Sequence, residues 1–252
     1  MGYKLEILQM FLKRPSLSFK KHIKKEKIDN QTIQYAQIDK LQPTVVFENG
    51  LGAGIKFWDE VFLEIGKTNT VFAYNRNDKK DAEKKKVSTD RVELLRKLLL
   101  QRGLKPPYIL VGHSLGGTYV QYFAKKYPRE VLGVVVVDTP FPGALENVSV
   151  FPKILLKLYS NIFKEINQID QKILSLPTTN IEMSILVATQ KRFTSQYKEY
   201  IPMTNMIHEK SKEYPNLYPQ CKVQWVDTGH VVMFENHKVV SEAIKEVIKK
   251  LK

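Results

Sequence analysis

Apolar residues along the chain follow two alternating patterns. Short runs rich in valine, isoleucine and aromatic residues are typical of strands, and apolar residues spaced three or four apart between them are typical of helices. The run VLGVVVVD at 131–138 is apolar at successive positions, as in a strand with both faces buried in a parallel sheet. Strands are predicted over 32–38, 44–49, 70–75, 107–112, 131–138, 182–189 and 222–227, and helices over 55–66, 88–103, 115–128 and 237–252.

The alternation of strands and helices predicts an α/β fold built on a doubly wound, mostly parallel sheet. The length of 252 residues suits one domain, and the hydrophobic content of 43% is enough for a large core. Residues 141–180 interrupt the alternation, because the segment ILLKLYSNIFKEI is apolar at helical spacing and no strand pattern accompanies it. We therefore expect a single domain over 1–252 with a helical insertion at 141–180.

The chain carries a formal net charge of +14, much of it in a lysine-rich stretch near the N-terminus and in another at 79–86. Such a surplus attracts anions. Neither stretch has the helical and aromatic context of a nucleic-acid reader. We interpret these lysines as solvated surface and expect no nucleic-acid partner.

The first segment places Leu5, Leu8, Phe11 and Leu12 at helical spacing ahead of the basic stretch. Two interpretations stay open: a helix docked on the chain's own core, which we favour, and a helix that associates weakly with an anionic membrane surface. No apolar run reaches the roughly 18 residues needed to cross a bilayer, and no signal-peptide cleavage site is present. Cys221 is the single cysteine, which excludes an internal disulfide and a thiolate metal cluster. These features favour a cytoplasmic location.

The sequence YILVGHSLGGTYV at 108–120 places Ser114 in a G-x-S-x-G motif between a predicted strand and a predicted helix. That context predicts a sharp turn that holds the serine in strained geometry and lifts its hydroxyl clear of the sheet. Gly112 and Gly116 suit such a turn, because a side chain at either position would collide with the neighbouring strand or helix. Ser114 is therefore the predicted nucleophile.

With these residues the chain resembles the α/β-hydrolase family. The segments VVFENGLGAGIKFW, FAYNR, VVVVDTP and WVDTGHVVMFENHKVV stand around the serine motif in the order that this family uses. The resemblance covers the chain from about residue 30 to the end. It implies a serine–acid–histidine triad, an oxyanion hole and a cap inserted after the strand that ends near 138, which places the cap at 141–180.

The general base of such a triad is predicted to be His230. It lies just past the last predicted strand, where a loop can bring it over Ser114 to take the hydroxyl proton. The family pattern implies that the backbone amides of Leu51 and Leu115 form the oxyanion hole. Neither a metal ion nor an organic cofactor is expected.

The acid of the triad is predicted to be Asp138. Most members of the family carry the acid after the strand that corresponds to 182–189, but there the first carboxylate in this chain is Glu199, too far beyond the strand for a short loop. Some members place the acid at the end of the preceding strand, where this chain has Asp138. Glu199 and Asp227 stay as alternatives.

The chain departs from the family pattern at two places. The family often has a His-Gly pair after its third strand, whereas this chain has Asn49 and Gly50, which keep the backbone donor but alter the pocket wall. The common Asp-Arg pair followed by glycines is replaced by Asn75 and Arg76 followed by Asn and Asp. The loop after residue 75 therefore lacks its usual glycines.

Together these residues predict a serine hydrolase that cleaves a carboxylic ester or related acyl bond through an acyl-serine intermediate. The apolar segment FPKILLKLYSNIF of the expected cap favours a hydrophobic acyl group. Two alternatives stay open: a non-catalytic binding module on the same fold, and an enzyme of different chemistry, either a C–C bond hydrolase or a haloperoxidase-like enzyme.

Overall fold

In the part of the chain that the structure describes, eight strands form one mixed sheet. The computed structural model describes residues 12, 14–28, 31–76, 89–146, 153–189 and 201–251. The strands are β1 (Ile23–Ile28), β2 (Gln31–Ile38), β3 (Leu41–Glu48), β4 (Asn69–Tyr74), β5 (Tyr108–His113), β6 (Val131–Val137), β7 (Glu182–Ala188) and β8 (Cys221–Val226). They lie in the order β1-β2-β4-β3-β5-β6-β7-β8. The pairs β1–β2 and β2–β4 are antiparallel, and all other neighbours are parallel.

Helices cover both faces of this sheet. Those described are α1 (Leu17–Lys20), α2 (Asp59–Ile65), α3 (Thr89–Gln101), α4 (Leu115–Lys126), α5 (Lys153–Ser175), α6 (Ile201–Ser211), α7 (Tyr214–Leu217), α8 (Val232–Glu235) and α9 (His237–Lys250), with short 3-10 turns at Ile55–Trp58 and Pro128–Glu130. Helices α2 and α9 pack on one face, and α3, α4 and α5 pack on the other. The predicted doubly wound, mostly parallel α/β fold is therefore confirmed. Of the helices described, none is both long and apolar enough to cross a membrane.

Each predicted strand overlaps a described strand, but β1 was not predicted. Its sequence, IKKEKI, is mostly polar because the strand lies at an edge of the described sheet, where β2 is its one described neighbour. Lysines on an open edge oppose pairing with another chain. The N-terminal residues Leu5, Leu8 and Phe11, like the lysine-rich stretch at 79–86, lie outside the described residues.

Strand β6 lies inside the sheet, and its valines alternate between two hydrophobic cores. Val134 packs in the core beneath α3, α4 and α5, and Val135 packs in the core beneath α2 and α9. A Cβ at Gly133 would lie 2.3 Å from the Val247 Cγ1 atom of α9. The missing side chain therefore lets α9 pack closely on β6.

The segment between β6 and β7 contributes the long helix α5, which runs alongside α4. The Tyr119 hydroxyl donates to Glu165 Oε1 at 2.6 Å, and Lys125 Nζ donates to the Leu176 carbonyl at 3.1 Å. Because later residues of α4 contact later residues of this segment, the two helices run in the same direction. At 1.5 Å per residue, α5 begins about 18 Å before Glu165, whereas α4 begins only about 6 Å before Tyr119. The first half of α5 thus extends past the start of α4, toward the carboxyl ends of the strands. Its assignment as a cap stays a prediction.

Candidate active site

A sharp turn holds Ser114 between the end of β5 and the start of α4. Its backbone adopts φ 51° and ψ −123°, a combination that residues other than glycine seldom adopt. A Cβ at Gly112 would lie 2.5 Å from the Gly116 carbonyl oxygen, and one at Gly116 would lie 2.3 Å from the Glu48 carbonyl oxygen. The turn is therefore as tight as the motif predicts.

Asp138 follows β6 and contacts His230, which lies in the loop after β8. The Nδ1–H group of His230 donates to Asp138 Oδ2 at 2.6 Å, and the Ala188 N–H donates to Asp138 Oδ1 at 2.9 Å. Both carboxylate oxygens are thus engaged, which fixes the orientation of the imidazole. Of the alternative acids, Asp227 is exposed on the surface and Glu199 lies outside the described residues.

Opposing effects set the pKa of His230. Desolvation lowers the pKa, but the hydrogen bond to Asp138 and the negative charge of that carboxylate outweigh it and raise the pKa above its usual 6.5. The side chain is 49% exposed, so the imidazole also meets solvent. The ring is consequently a stronger base than a free imidazole and is accessible to a substrate.

His113, the residue before the serine, contacts the loop of His230. Its Nε2 atom lies 2.8 Å from the His230 carbonyl oxygen, and the two ring centroids are 4.7 Å apart. Burial, and then the proximity of His230, lower the pKa of His113 to about 3, so the ring is neutral and Nε2–H donates to that carbonyl. The sequence analysis gave His113 no role, whereas in the structure its ring holds the loop that carries His230.

These contacts bring Ser114, His230 and Asp138 to one edge of the sheet. The Ser114 N–H donates to the Val137 carbonyl at 3.0 Å, and the Thr139 hydroxyl donates to the Ser114 carbonyl at 3.0 Å, so the serine is tied to both sides of Asp138. Within the described residues no hydrogen bond joins the Ser114 hydroxyl to the His230 ring. In unliganded hydrolytic sites this bond is often long and shortens when substrate binds.

Leu51 and Leu115 are the residues whose backbone N–H groups are predicted to form the oxyanion hole. Leu115 is the first residue of α4, so its N–H has no acceptor within the helix. A Cβ at Gly50 would lie 3.4 Å from Ser114 Cβ, and Leu51 is the next residue along the chain. Neither N–H donates to another group among the residues described. That these two N–H groups form an oxyanion hole stays a prediction.

Asn49 accounts for the first departure from the family pattern. Its side chain accepts from Trp58 Nε1 at 2.9 Å and donates to the Tyr74 carbonyl at 2.5 Å, and the residue is buried. The expectation that Asn49 alters the pocket wall is therefore wrong, because its amide is used inside the fold. It ties the end of β3 to β4.

Arg76 lies in the segment of the second departure, where it keeps the arginine of the family pattern, and its environment was not predicted. Residues 77 and 78, which replace the usual glycines, lie outside the described residues. Its guanidinium forms an ion pair with Glu48 and donates to the carbonyls of Asn49 at 2.5 Å and Gly50 at 2.9 Å. The Tyr74 hydroxyl donates to the other oxygen of Glu48 at 2.7 Å. Burial, and then the charge of Glu48, raise the pKa of Tyr74 well above 10, so this hydroxyl keeps its proton. A buried polar network therefore lies directly behind the loop that carries Leu51.

No cluster of three histidine, cysteine, aspartate or glutamate side chains suitable for a metal ion occurs among the described residues. The arrangement consists of a strained serine, a histidine hydrogen-bonded to a carboxylate and two backbone donors. Such a set of groups can transfer an acyl group through the serine.

Known proteins share this sequence pattern and fold. A sequence profile of the alpha/beta hydrolase fold matches residues 43–175, more than half of the chain. The uncharacterized protein YqjL of Bacillus subtilis is 28% identical over 120 residues, which cover 46% of this chain and 47% of that protein. The chain thus matches less than half the length of this curated relative.

Solved structures match over a longer part of the chain. The Cif epoxide hydrolase from Acinetobacter nosocomialis has a TM-score of 0.64 and 14% identity, and the match covers 90% of each chain. A solved structure from work on the carboxylesterases of Nitrososphaera gargenis has a TM-score of 0.60 and 13% identity. The match covers 90% of this chain and 100% of that chain. The chain belongs to the alpha/beta hydrolase fold family, and this fold supports a hydrolase.

Proposed function

We propose that this protein is a serine hydrolase that cleaves a carboxylic ester or related acyl bond. The observation that carries the proposal is the hydrogen bond between His230 and Asp138. His230 lies on a loop that His113, the residue before Ser114, holds through a hydrogen bond. A histidine oriented in this way beside a strained serine is the arrangement that acyl transfer requires.

In the proposed mechanism, Ser114 Oγ attacks the substrate carbonyl while His230 Nε2 takes the hydroxyl proton. Asp138 holds the Nδ1–H tautomer and stabilises the imidazolium that forms. The N–H groups of Leu51 and Leu115 bind the oxyanion of the tetrahedral intermediate. When the intermediate collapses, the bond to the alcohol oxygen breaks and His230 returns the proton to that oxygen. Water, deprotonated by His230, then attacks the acyl-Ser114 ester. The bond to Ser114 Oγ breaks, His230 returns the proton to that oxygen, and the acid is released.

A hydrophobic acyl group is the proposed substrate feature. Phe141, Ala144 and Leu145, which follow the Asp138 turn, are buried in the core beneath α4 and α5. The sequence of the first half of α5 is rich in apolar residues, and this half extends toward the edge that holds Ser114. The apolar sequence of this segment supports an alkyl chain over a sugar or a phosphate as the bound group.

Labelling with a fluorophosphonate probe, followed by a panel of p-nitrophenyl esters of increasing chain length, tests the proposal. We expect a single adduct on Ser114 and turnover that rises with acyl chain length. A protein that is folded but neither labelled nor active would be a binding module on this fold. Labelling at Ser114 without ester turnover would instead favour C–C bond hydrolysis or haloperoxidase-like chemistry.

The surplus positive charge predicts that salt affects charged and neutral substrates differently. Turnover of an ester whose acyl chain ends in a carboxylate should fall about threefold between roughly 20 and 500 mM salt, because ions screen its attraction to the surface. The methyl-capped neutral analogue should show a level curve. Parallel curves for the two esters would mean that the lysines only solvate the surface.

Replacing the proposed acid, Asp138, should both slow the enzyme and alter its pH profile. Asp138→Asn should lower kcat about a thousandfold with little change in KM, because the amide leaves His230 misoriented. Activity requires neutral His230, so in the wild type kcat/KM should fall as the pH drops through a pKa above 6.5. Without the carboxylate only desolvation remains, and this acidic limb should move to lower pH.

Asp227→Asn is the matched control for Asp138→Asn, because it neutralises an exposed carboxylate near His230 in the sequence. Its activity and pH profile should match those of the wild type. A loss smaller than about tenfold in Asp138→Asn, together with a large loss in Asp227→Asn or Glu199→Gln, would assign the acid elsewhere.

A further inference from the structure

We infer that Arg76 is a positioning residue that sets the orientation of the oxyanion donor Leu51. The inference rests on the proposed function and adds a second layer behind the backbone donors. Arg76 would touch neither the substrate nor the reacting atoms. It acts on the loop formed by Asn49, Gly50 and Leu51.

The argument begins with the geometry of one peptide group. The Gly50 carbonyl and the Leu51 N–H belong to the same peptide, and in a planar trans peptide they point in opposite directions. The Arg76 guanidinium donates to the Gly50 oxygen at 2.9 Å and to the Asn49 oxygen at 2.5 Å. Two consecutive carbonyls are thus held by one rigid group, which fixes the direction in which the Leu51 N–H points.

The same contact strengthens the Leu51 donor. A cation that binds a peptide oxygen polarises the peptide, and hydrogen bonds in a chain reinforce one another in a medium of low dielectric constant. The side chains of Arg76 and Glu48 are 3% and 1% exposed, so water does not screen this effect. Arg76 therefore contributes charge as well as geometry to the loop.

Rigid elements hold the guanidinium itself. Glu48, the last residue of β3, forms the ion pair with Arg76, which lies just after β4. Asn75, the preceding residue, accepts from the Ile55 N–H at 2.8 Å. The Tyr119 ring on α4 lies 5.2 Å from the guanidinium carbon. Because α4 begins with Leu115, this contact links the Leu51 donor to the helix that carries the second donor.

The test compares Arg76→Met with Arg91→Met. Arg91 is a matched control because it is also buried, its guanidinium carbon lies 5.8 Å from the centroid of the same Tyr119 ring, and it pairs with Glu165 of α5. An oxyanion donor acts in the transition state, so Arg76→Met should lower kcat about a hundredfold and leave KM within about threefold of the wild type. Arg91→Met should keep kcat within about threefold of the wild type, even if its melting temperature falls.

A trifluoromethyl ketone provides a second readout, because its adduct with Ser114 places an oxyanion in the same hole. Its inhibition constant should rise in Arg76→Met by about the same factor as kcat falls, while the inhibition constant of the product acid should stay level. Arg76→Lys should recover about a tenth of the wild-type activity, since an ammonium keeps the charge beside Glu48 but does not span two carbonyls. If Arg76→Met does not fold, Arg76→Lys carries the same comparison.

Amide hydrogen exchange across residues 49–53 tests the inference without any activity. Exchange should be faster in Arg76→Met than in Arg91→Met, because only the former removes the guanidinium that holds the carbonyls of Asn49 and Gly50. A wild-type protein without labelling or turnover would overturn the proposed function, and exchange would still decide the role of Arg76. Equal exchange and equal kcat in the two folded variants would overturn the inference.

Discussion

Ser114→Ala should abolish fluorophosphonate labelling and lower ester turnover on the order of a millionfold, to the level that binding and the oxyanion donors alone sustain. The variant lacks the only atom that forms the acyl intermediate in the proposed mechanism. Mass spectrometry of the probe-treated protein and single-turnover kinetics would measure the two losses.

The fold of Ser114→Ala should remain intact. Alanine and serine both carry a Cβ, so both meet the same steric conflict at φ 51°, and the lost hydroxyl makes no hydrogen bond within the described residues. The melting temperature should therefore stay within about 2 °C of the wild type. Full activity in a folded Ser114→Ala protein would refute the acyl-serine mechanism.

His230→Ala should slow acylation by about five orders of magnitude. Without the imidazole, nothing takes the Ser114 proton, and the Asp138 carboxylate loses the group that it orients. The loss should appear in the rate of fluorophosphonate labelling as well as in kcat, because both reactions need the activated hydroxyl. Rates measured at several pH values should also lose the acidic limb that His230 produces in the wild type.

His208→Ala is the matched control for His230→Ala. His208 lies on α6, its Nε2 atom is 2.9 Å from the Ala188 carbonyl, and its ring contacts that of Trp225 with centroids 5.5 Å apart. It thus contacts the same strand end as the Asp138 carboxylate does, without contacting His230. Its loss should lower activity less than about tenfold. Equal losses in the two variants would show that the base had been chosen wrongly.

The sequence was sufficient for the fold and for the residues gathered at the site because strands and their ends have local signatures. The buried strand at 131–138 and the strand before Ser114 are apolar runs, and the residues that follow such runs meet at one edge of a parallel sheet. The pairing of Asp138 with His230 was predicted from these positions together with the resemblance to the α/β-hydrolase family. Their roles in catalysis stay predictions.

What the sequence did not predict depends on contacts between distant segments or on an atypical environment. His113 meets the carbonyl of a residue 117 positions away, and Arg76 meets one 26 positions away, so neither contact has a local pattern. Strand β1 is polar because it has a neighbour on one side only among the described strands, and its lysines resemble those of a solvated loop. Asn49 was expected at the pocket wall because it replaces the histidine that the family often has there. The residue type alone does not indicate which way the side chain points.

The packing of Gly133 has a consequence for the site at the other end of β6. The four consecutive valines of this strand fit either hydrophobic core, so a shift of one residue would flip them at little cost in buried apolar area. The same shift would bring a side chain against Val247, where even a Cβ at position 133 would lie 2.3 Å from the valine methyl. Gly133 thus specifies the register of β6, and that register is what places Asp138 where its carboxylate reaches both the Ala188 N–H and His230.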